Sequence, residues 1–247
     1  MMFLVLAAAL ATAALDRPHA AVLNVLQKDT MGCDPAEVRA AAVGADLKRL
    51  GRVAGSEVVL ASLHQPCLCG NVNCPYLVLR LDNGKPRLLY STSGFRLTTL
   101  AAAPLPTLVV RAHDSALITD ETVAAYRDGK YVDQTYARVR GDNGARKPND
   151  VPVRFIAGAS AATLRGTAST GWYDSYAFDA QAGQRLTVGN AHAKGKIVVN
   201  LLGPEPAGPL TVVLDRPLVL PKTGSYHLQI EVSAENDVPY SLTLAIR

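Results

Sequence analysis

Two stretches near the C-terminal end of the chain, 226–232 and 240–246, alternate apolar and polar side chains. The apolar positions are Tyr226, Leu228, Ile230, Val232, Tyr240, Leu242, Leu244 and Ile246. Successive side chains of a β-strand point to opposite faces of the sheet, so each stretch has one apolar and one polar face. The pattern predicts two half-buried antiparallel strands.

Further short segments with strand character precede this pair and are separated by glycine-containing turns. They lie near 152–156, 161–167, 173–179, 184–190, 196–202 and 210–215. Regularly spaced short strands without helical periodicity between them are typical of a β-sandwich. We therefore predict an eight-stranded antiparallel β-sandwich over 151–247.

The preceding part of the chain begins with a helix signal. Asp34 can cap free backbone N–H groups, Pro35 suits the first helical position, and Glu37 completes a capping box. We expect this helix to run to about Leu50, with Gly51 as its stop.

Short strands and two hairpin signals follow this helix. The strands are expected near 57–63, 76–81, 88–90 and 108–110. Asn83-Gly84 and Asp128-Gly129 both suit tight primed turns, because these residues tolerate positive φ. The chain is thus predicted to be mainly β, with a small disulfide-bearing α+β domain over 21–140 before the sandwich.

The segment 141–150 is rich in Gly, Asn and Asp and has no apolar periodicity, so we interpret it as a linker.

Near the start of the chain, residues 3–10 form a short apolar run followed by Ala11-x-Ala13. This pattern predicts a signal peptide over 1–20, cleaved near 13–14 or slightly later. We expect a periplasmic or secreted protein with no membrane insertion after signal removal.

The net charge is +4, with charges of both signs interspersed. A nucleic-acid-binding protein would cluster Lys and Arg, so nucleic acid is not an expected partner.

Four cysteines in an exported chain predict two disulfides. Cys67 and Cys69 are too close in sequence to pair without strain. We favour pairing Cys69 with Cys74 and Cys33 with Cys67, although spacing alone does not fix the connectivity. A Cys3His zinc site that includes His64 is the alternative, and an oxidising compartment argues against it. We expect no metal.

Catalytic motifs with a strand–turn nucleophile, a zinc-binding helix or a phosphate-binding loop do not occur in the sequence. We therefore expect a binding protein without enzymatic activity or cofactor. Lys194 lies in a small basic loop between two predicted strands, where it could meet an acidic partner or simply be solvated. Trp172 and Tyr173 lie near a turn and are candidates for an exposed aromatic surface that binds glycan or protein. Core packing is the alternative.

Two motifs give the C-terminal half a family resemblance. They are Tyr173-Asp174-Ser175-Tyr176-Ala177-Phe178-Asp179-Ala180-Gln181-Ala182-Gly183-Gln184, which follows Gly166, and Leu220-Pro221-Lys222-Thr223-Gly224-Ser225-Tyr226. Together they resemble the periplasmic inhibitors of g-type lysozyme over residues 151–247. The cysteine-bearing N-terminal part resembles domains of uncharacterised exported bacterial proteins, a likeness that implies no activity.

The resemblance implies a β-sandwich that inserts a Ser-Gly-x-Tyr loop into the active-site cleft of g-type lysozyme. In this sequence the loop is formed by Thr223, Gly224, Ser225 and Tyr226, with Thr in place of Ser. Tyr226 also shares its register with the core positions of its strand, so a purely structural role is the alternative. The segment 233–237 is acidic, whereas the inhibitors tend to carry arginines there. A cell-envelope module that binds glycan or protein without inhibition is the second hypothesis, with peptidoglycan as its candidate partner.

Overall fold

The computed structural model describes residues 15–28, 32–70, 72–82, 85–141, 144–204 and 210–247. They divide into two compact units. The first comprises the chain up to Ala112 together with Val123–Gln134, and the second comprises His113–Thr122 together with Thr135–Arg247. The predicted domain borders at 140 and 150 stay a prediction. Most of the predicted signal peptide, 1–14, and the turn residues 83–84 lie outside the described residues.

The first unit contains two helices and a four-stranded antiparallel sheet of order β1–β2–β3–β4. Its first elements are α1 (Arg17–Leu26), α2 (Pro35–Val43), β1 (Asp46–Val53), β2 (Ser56–Ser62), β3 (Cys74–Leu81) and β4 (Pro86–Gly94). They are followed by β5 (Arg96–Leu100) and β6 (Thr107–His113), which pair with each other antiparallel. The helices pack on the sheet through a core that includes Val22, Val38, Leu63 and Leu79.

The helix start predicted at Asp34 is confirmed, but the predicted helix end is wrong. Asp34 and Glu37 form the reciprocal hydrogen bonds of a capping box. The helix ends at Val43 rather than near Leu50, and the N–H of Gly44 closes its last turn. Asp46 then begins β1, which pairs with β2 over its length. Cross-strand pairing therefore overrides the local apolar pattern that suggested a longer helix.

Helix α1 was not predicted, and it begins within the segment interpreted as a signal peptide. Asp16 caps its N-terminus by accepting a hydrogen bond from the His19 N–H. Its buried residues, Ala21, Val22 and Leu26, belong to the core of the first unit. Neither described helix combines the length and apolar character needed to cross a bilayer.

The favoured disulfide pairing is confirmed. Cys33 bonds to Cys67 and Cys69 bonds to Cys74, with Cα–Cα distances of 5.5 and 4.2 Å. The four thiols are consumed, so the alternative zinc site with His64 has no thiolate ligands.

The hairpin predicted at Asp128-Gly129 is also confirmed. It joins β7 (Ile118–Arg127) to β8 (Lys130–Arg140), and Asp128 and Gly129 have φ values of +49° and +84°. Such positive values are what a primed two-residue turn requires. Both strands contribute residues to each of the two compact units.

The second unit contains a β-sandwich. The strands that follow β8 in this unit are β9 (Arg146–Pro148), β10 (Val151–Pro152), β11 (Ala161–Ala168), β12 (Asp174–Ala180), β13 (Arg185–Ala193), β14 (Lys196–Leu202), β15 (Leu210–Thr211), β16 (Leu218–Val219), β17 (Gly224–Ser233) and β18 (Val238–Ile246). One sheet has the order β10–β12–β17–β14–β15, the other β11–β18–β13–β16, and β9 pairs with β8. Both sheets contribute to one core that includes Phe178, Val188, Leu228 and Leu242.

The sandwich confirms the predicted fold class but differs from the prediction in detail. Nine strands follow residue 150 in the described part of the chain, rather than eight. Strand β10 pairs with β12 in parallel. The predicted strand 210–215 is reduced to β15, and β16 is additional. The two alternating stretches, 226–232 and 240–246, lie in β17 and β18, and their apolar positions are buried.

Residues of the predicted linker 141–150 bond to the sandwich. The Lys147 Nζ forms an ion pair of 2.9 Å with an Asp174 oxygen and donates a hydrogen bond to the Thr167 carbonyl. The carboxylate of Asp150 accepts a hydrogen bond from the Ser175 hydroxyl. The role of 141–150 as a linker between domains stays a prediction.

The two disulfides should stabilise the first unit unequally. Cys33–Cys67 spans 34 positions and Cys69–Cys74 spans 5. The loop-entropy relation gives about 4 kcal/mol for the longer loop and about 2 kcal/mol for the shorter one. We expect a double Cys33→Ser, Cys67→Ser variant to lose more unfolding free energy in urea than a Cys69→Ser, Cys74→Ser variant. Mass spectrometry after alkylation without reductant must show the remaining disulfide intact. Equal losses would contradict the expectation.

Candidate functional site

The motif Leu-Pro-x-Thr-Gly-x-Tyr forms an exposed loop at one end of the sandwich. We call residues 221–225 the tip loop; it follows β16 and includes the first two residues of β17. The side chains of Lys222, Thr223 and Ser225 are exposed. Leu220 before the loop and Tyr226 after it are fully buried. The loop is thus anchored in the core on both sides.

Tyr226 holds the loop through its ring and its hydroxyl. The ring stacks on Phe178 with a centroid distance of 5.8 Å and an interplanar angle of 13°. The hydroxyl donates a 2.6 Å hydrogen bond to the Lys222 carbonyl and accepts one from the Lys222 N–H. The structural role considered for Tyr226 is therefore confirmed, and its ring is not available to a partner.

The motif 173–184 supports the loop from the side. The turn after β12 contains Ala182, whose N–H donates a 3.0 Å hydrogen bond to the Thr223 hydroxyl. In the same turn the Gln184 side chain accepts a hydrogen bond from the Gln181 N–H, and Gly183 has a φ of +85°. The two motifs that carry the family resemblance therefore meet at the tip loop.

Gly224 has a structural reason to be glycine. Its φ is +151°, and a Cβ at this position would lie 2.7 Å from Cγ of Pro204. A side chain here would strain the backbone and displace Pro204. Bulk introduced at this position would therefore confuse misfolding with loss of binding.

Three basic residues lie at the same end of the sandwich as the tip loop. Arg185 begins β13, and its backbone N–H donates a 2.7 Å hydrogen bond to the carbonyl of Arg247. The Leu220 N–H donates to the carbonyl of Gln184 next to Arg185, which places both arginines at the end of the sandwich that bears Lys222. All three basic side chains are exposed. This end of the sandwich can attract an acidic surface.

Trp172 is not the exposed aromatic residue that the sequence suggested. It is 2% exposed. The guanidinium carbon of Arg140 and the Nζ of Lys147 lie 4.8 and 5.1 Å from its ring centroid. The predicted exposure of Trp172 is wrong because Arg140 and Lys147, which are far from it in sequence, cover its ring. Trp172 cannot serve as a stacking platform in this structure.

Tyr173 is partly buried, and the guanidinium carbon of Arg138 lies 3.7 Å from its ring centroid. Burial raises the pKa of the Tyr173 hydroxyl, while the charge of Arg138 opposes that shift. Lys194 is exposed in the turn between β13 and β14. It occupies the solvated hairpin tip that was its plainer interpretation.

The structure does not bring all the predicted site residues together. The tip loop lies at the start of β17, where Gly224 pairs with Ala180. The turn with Lys194 lies at the other end, where Ser233 pairs with Lys196. Ten residues of strand separate these ends by about 30 Å. Trp172 also belongs to the far end, since the nearby Thr170 N–H donates to the Ala234 carbonyl.

A buried hydroxyl network, which the sequence did not predict, joins the two sheets of the sandwich. The Tyr240 hydroxyl donates a 2.7 Å hydrogen bond to Asp174 and lies 2.9 Å from the Tyr176 hydroxyl. Burial raises the pKa of both tyrosines. A Cβ on Gly166 would meet the Asp174 carboxylate and the Tyr240 hydroxyl. Gly166, which precedes the motif 173–184, is thus needed for packing.

Solved structures of lysozyme inhibitors match part of the chain. A PliG from Salmonella Typhimurium, a periplasmic inhibitor of g-type lysozyme, is 26% identical with a TM-score of 0.36; the match covers 41% of this chain and 100% of that one. The PliG from Aeromonas hydrophila is 27% identical, with 40% and 96% covered and a TM-score of 0.33. A mutant of the Escherichia coli PliG is 23% identical, with 40% and 97% covered and a TM-score of 0.33. No family model and no curated protein matches the chain.

The Tyr226 hydroxyl should stabilise the tip loop measurably. Tyr226→Phe keeps the ring and removes both hydrogen bonds to the Lys222 backbone. We expect the unfolding free energy to fall by about 1–2 kcal/mol and amide exchange in the tip loop to become faster. Ser225→Ala, which changes an exposed hydroxyl next to it, is the matched control and should shift stability by less than about 0.5 kcal/mol. Equal effects of the two variants would show that the hydroxyl does not hold the loop.

Proposed function

We propose that this protein is exported to the periplasm or secreted and inhibits a g-type lysozyme by inserting the tip loop into its active-site cleft. The observation that carries the proposal is the loop itself. An exposed Thr-Gly-Ser segment, in the sequence context of the inhibitor motif, is tied to a buried tyrosine on one side and to a neighbouring turn on the other.

The fixed shape of the loop favours inhibition over transient contact. A flexible loop loses conformational entropy when it binds, whereas a preorganised loop avoids much of this cost. Two hydrogen bonds between the Tyr226 hydroxyl and the Lys222 backbone, and one from the Ala182 N–H to the Thr223 hydroxyl, fix the loop before binding. The glycine at position 224 keeps the backbone narrow between the two exposed hydroxyls, which suits entry into a cleft.

The polar groups of the loop suit a cleft lined with carboxylates. Glycosidases hydrolyse their substrates with pairs of acidic residues. The Thr223 hydroxyl accepts its internal hydrogen bond from Ala182, so its own proton remains able to donate to an acidic partner. Ser225 offers a second exposed hydroxyl. Arg185, Lys222 and Arg247 supply complementary charge around the loop.

The aromatic glycan platform of the second hypothesis loses its main support. Trp172 is covered by Arg140 and Lys147, and Tyr173 is stacked against Arg138. Binding of peptidoglycan without inhibition therefore serves as the alternative outcome in the experiments below.

Ser225→Trp should abolish inhibition. Ser225 is exposed and lies inside the tip loop, so a large ring there prevents the loop from entering a narrow cleft. Lysis of cell walls by g-type, c-type and i-type lysozymes is measured with and without the purified protein. We expect the unchanged protein to inhibit the g-type enzyme alone, and the inhibition constant of Ser225→Trp to rise at least about a hundredfold, close to 3 kcal/mol.

Ser233→Trp is the matched control, because Ser233 is exposed on the same strand at its far end. It should inhibit as well as the unchanged protein. Equal inhibition by both folded tryptophan variants would remove the tip loop from the interface. Tight peptidoglycan binding without inhibition of any lysozyme would instead favour the second hypothesis.

The basic residues around the loop should mainly speed association. We expect a double Arg185→Glu, Lys222→Glu variant to bind the g-type enzyme about tenfold or more slowly at low salt, with a smaller difference at high salt, because exposed charges steer encounter and are screened by ions. Surface plasmon resonance at several salt concentrations measures this. A double Lys194→Glu, Lys196→Glu variant, which changes the net charge by the same amount at the far end, is the control. An identical effect of both changes would mean that only net charge matters.

A further inference from the structure

Arg138 is a buried cation with unused hydrogen-bond donors. It lies in β8, is 2% exposed, and its guanidinium stacks on the ring of Tyr173 at 3.7 Å. Both terminal nitrogens, Nη1 and Nη2, are buried and have no hydrogen-bond partner among the residues that the structure describes. Buried charges in proteins are normally paired and hydrogen-bonded, because an unpaired one is strongly unfavourable. The donors of Arg138 are therefore available to an acceptor that the described part of the chain does not supply.

The side chain lines a cleft within the second compact unit. The cleft has a volume of about 270 Å³, and its wall includes Asp120, Asn149, Tyr173 and His227. The side-chain oxygen of Asn149 is also buried, and no described residue donates a hydrogen bond to it. Two N–H donors and one acceptor that no described group satisfies thus belong to residues at the wall of this cleft. This combination suits a ligand that carries both acceptor and donor groups.

The acidic residues of the cleft differ in their engagement. The Asp150 carboxylate accepts a 2.6 Å hydrogen bond from Ser175 and lies 2.8 Å from the Nδ1 of His227. Asp120 has a raised pKa, chiefly because it is buried and also because Asp114 is near, while Arg138 opposes the shift. Asp120 leaves the terminal nitrogens of Arg138 unsatisfied. It is positioned to attract a positively charged group on the ligand.

We propose that this cleft binds a small carboxylate of amino-acid size, whose two oxygens accept hydrogen bonds from Nη1 and Nη2 of Arg138. A guanidinium matches a carboxylate in shape and forms paired hydrogen bonds with it. The amino group of the same ligand donates to the Asn149 oxygen and interacts with Asp120. Tyr173 covers one face of the guanidinium and leaves its edge, which carries Nη1 and Nη2, to the carboxylate. The proposal is independent of lysozyme inhibition.

Three probes separate the parts of this recognition: glycine, acetate and ethylamine. Binding to the full chain is followed by NMR or calorimetry at neutral pH. We expect saturable binding of glycine, at least about fivefold weaker binding of acetate, and none of ethylamine, since the carboxylate provides the main contact and the amino group adds to it. Absence of saturable binding by both carboxylates, or binding of ethylamine as tight as that of glycine, would overturn the proposal.

Two variants locate the site. Arg138→Lys keeps the charge but not the paired donors, and should weaken glycine binding at least about tenfold in protein whose circular dichroism is unchanged. Arg140→Lys, two residues along the same strand, is the matched control and should leave glycine binding unchanged. Unchanged binding by folded Arg138→Lys would overturn the assignment.

Asp120→Asn keeps the proposal testable if the Arg138 variant does not fold. It removes a negative charge that repels acetate and attracts the amino group of glycine. We therefore expect acetate to bind more tightly and glycine to lose its advantage over acetate. An unchanged ratio of the two affinities in this variant would contradict the proposed orientation.

Discussion

The buried side chain of Tyr226 links the core of the sandwich to its exposed tip. The ring belongs to the same apolar face as Leu228 and Ile230, and it stacks on Phe178 of the neighbouring strand. A phenol hydroxyl buried with its ring needs a partner, and here the backbone of Lys222 provides both an acceptor and a donor. The geometry of the tip loop therefore follows from a requirement of the core.

This arrangement separates the residues that build the loop from those that could choose a partner. Tyr226, Gly224 and the turn at Ala182 determine the shape of the loop. A different protein with the same motif would have the same loop, whatever it binds. Specificity must then arise from the exposed positions, above all Lys222 and Ser225, and from the cations at the same end of the sandwich. The family motif alone is evidence for the loop more than for its target.

The sequence predicted the features that depend on local pattern. Period-two alternation located β17 and β18, the Asp128-Gly129 pair located a hairpin, and close spacing of the cysteines favoured the correct disulfides. The predictions that were wrong concern features that depend on residues far apart in sequence. Trp172 is buried because Arg140 and Lys147 cover its ring. The helix after Asp34 is shortened because β1 pairs with β2.

Arg138 shows why a candidate site can be invisible in the sequence and distinct in the structure. Arg138 and the next residue, Val139, are both buried, although their side chains point to opposite faces of the strand. Both faces are therefore covered at this point, and an alternating pattern does not reveal that the arginine is buried. A fold stabilised by apolar packing gains nothing from a buried guanidinium whose terminal donors have no partner among the described residues, and a hydrophobic residue of similar size would often be more stable. Such a side chain needs a reason beyond folding, and an anionic group that completes its hydrogen bonds provides one.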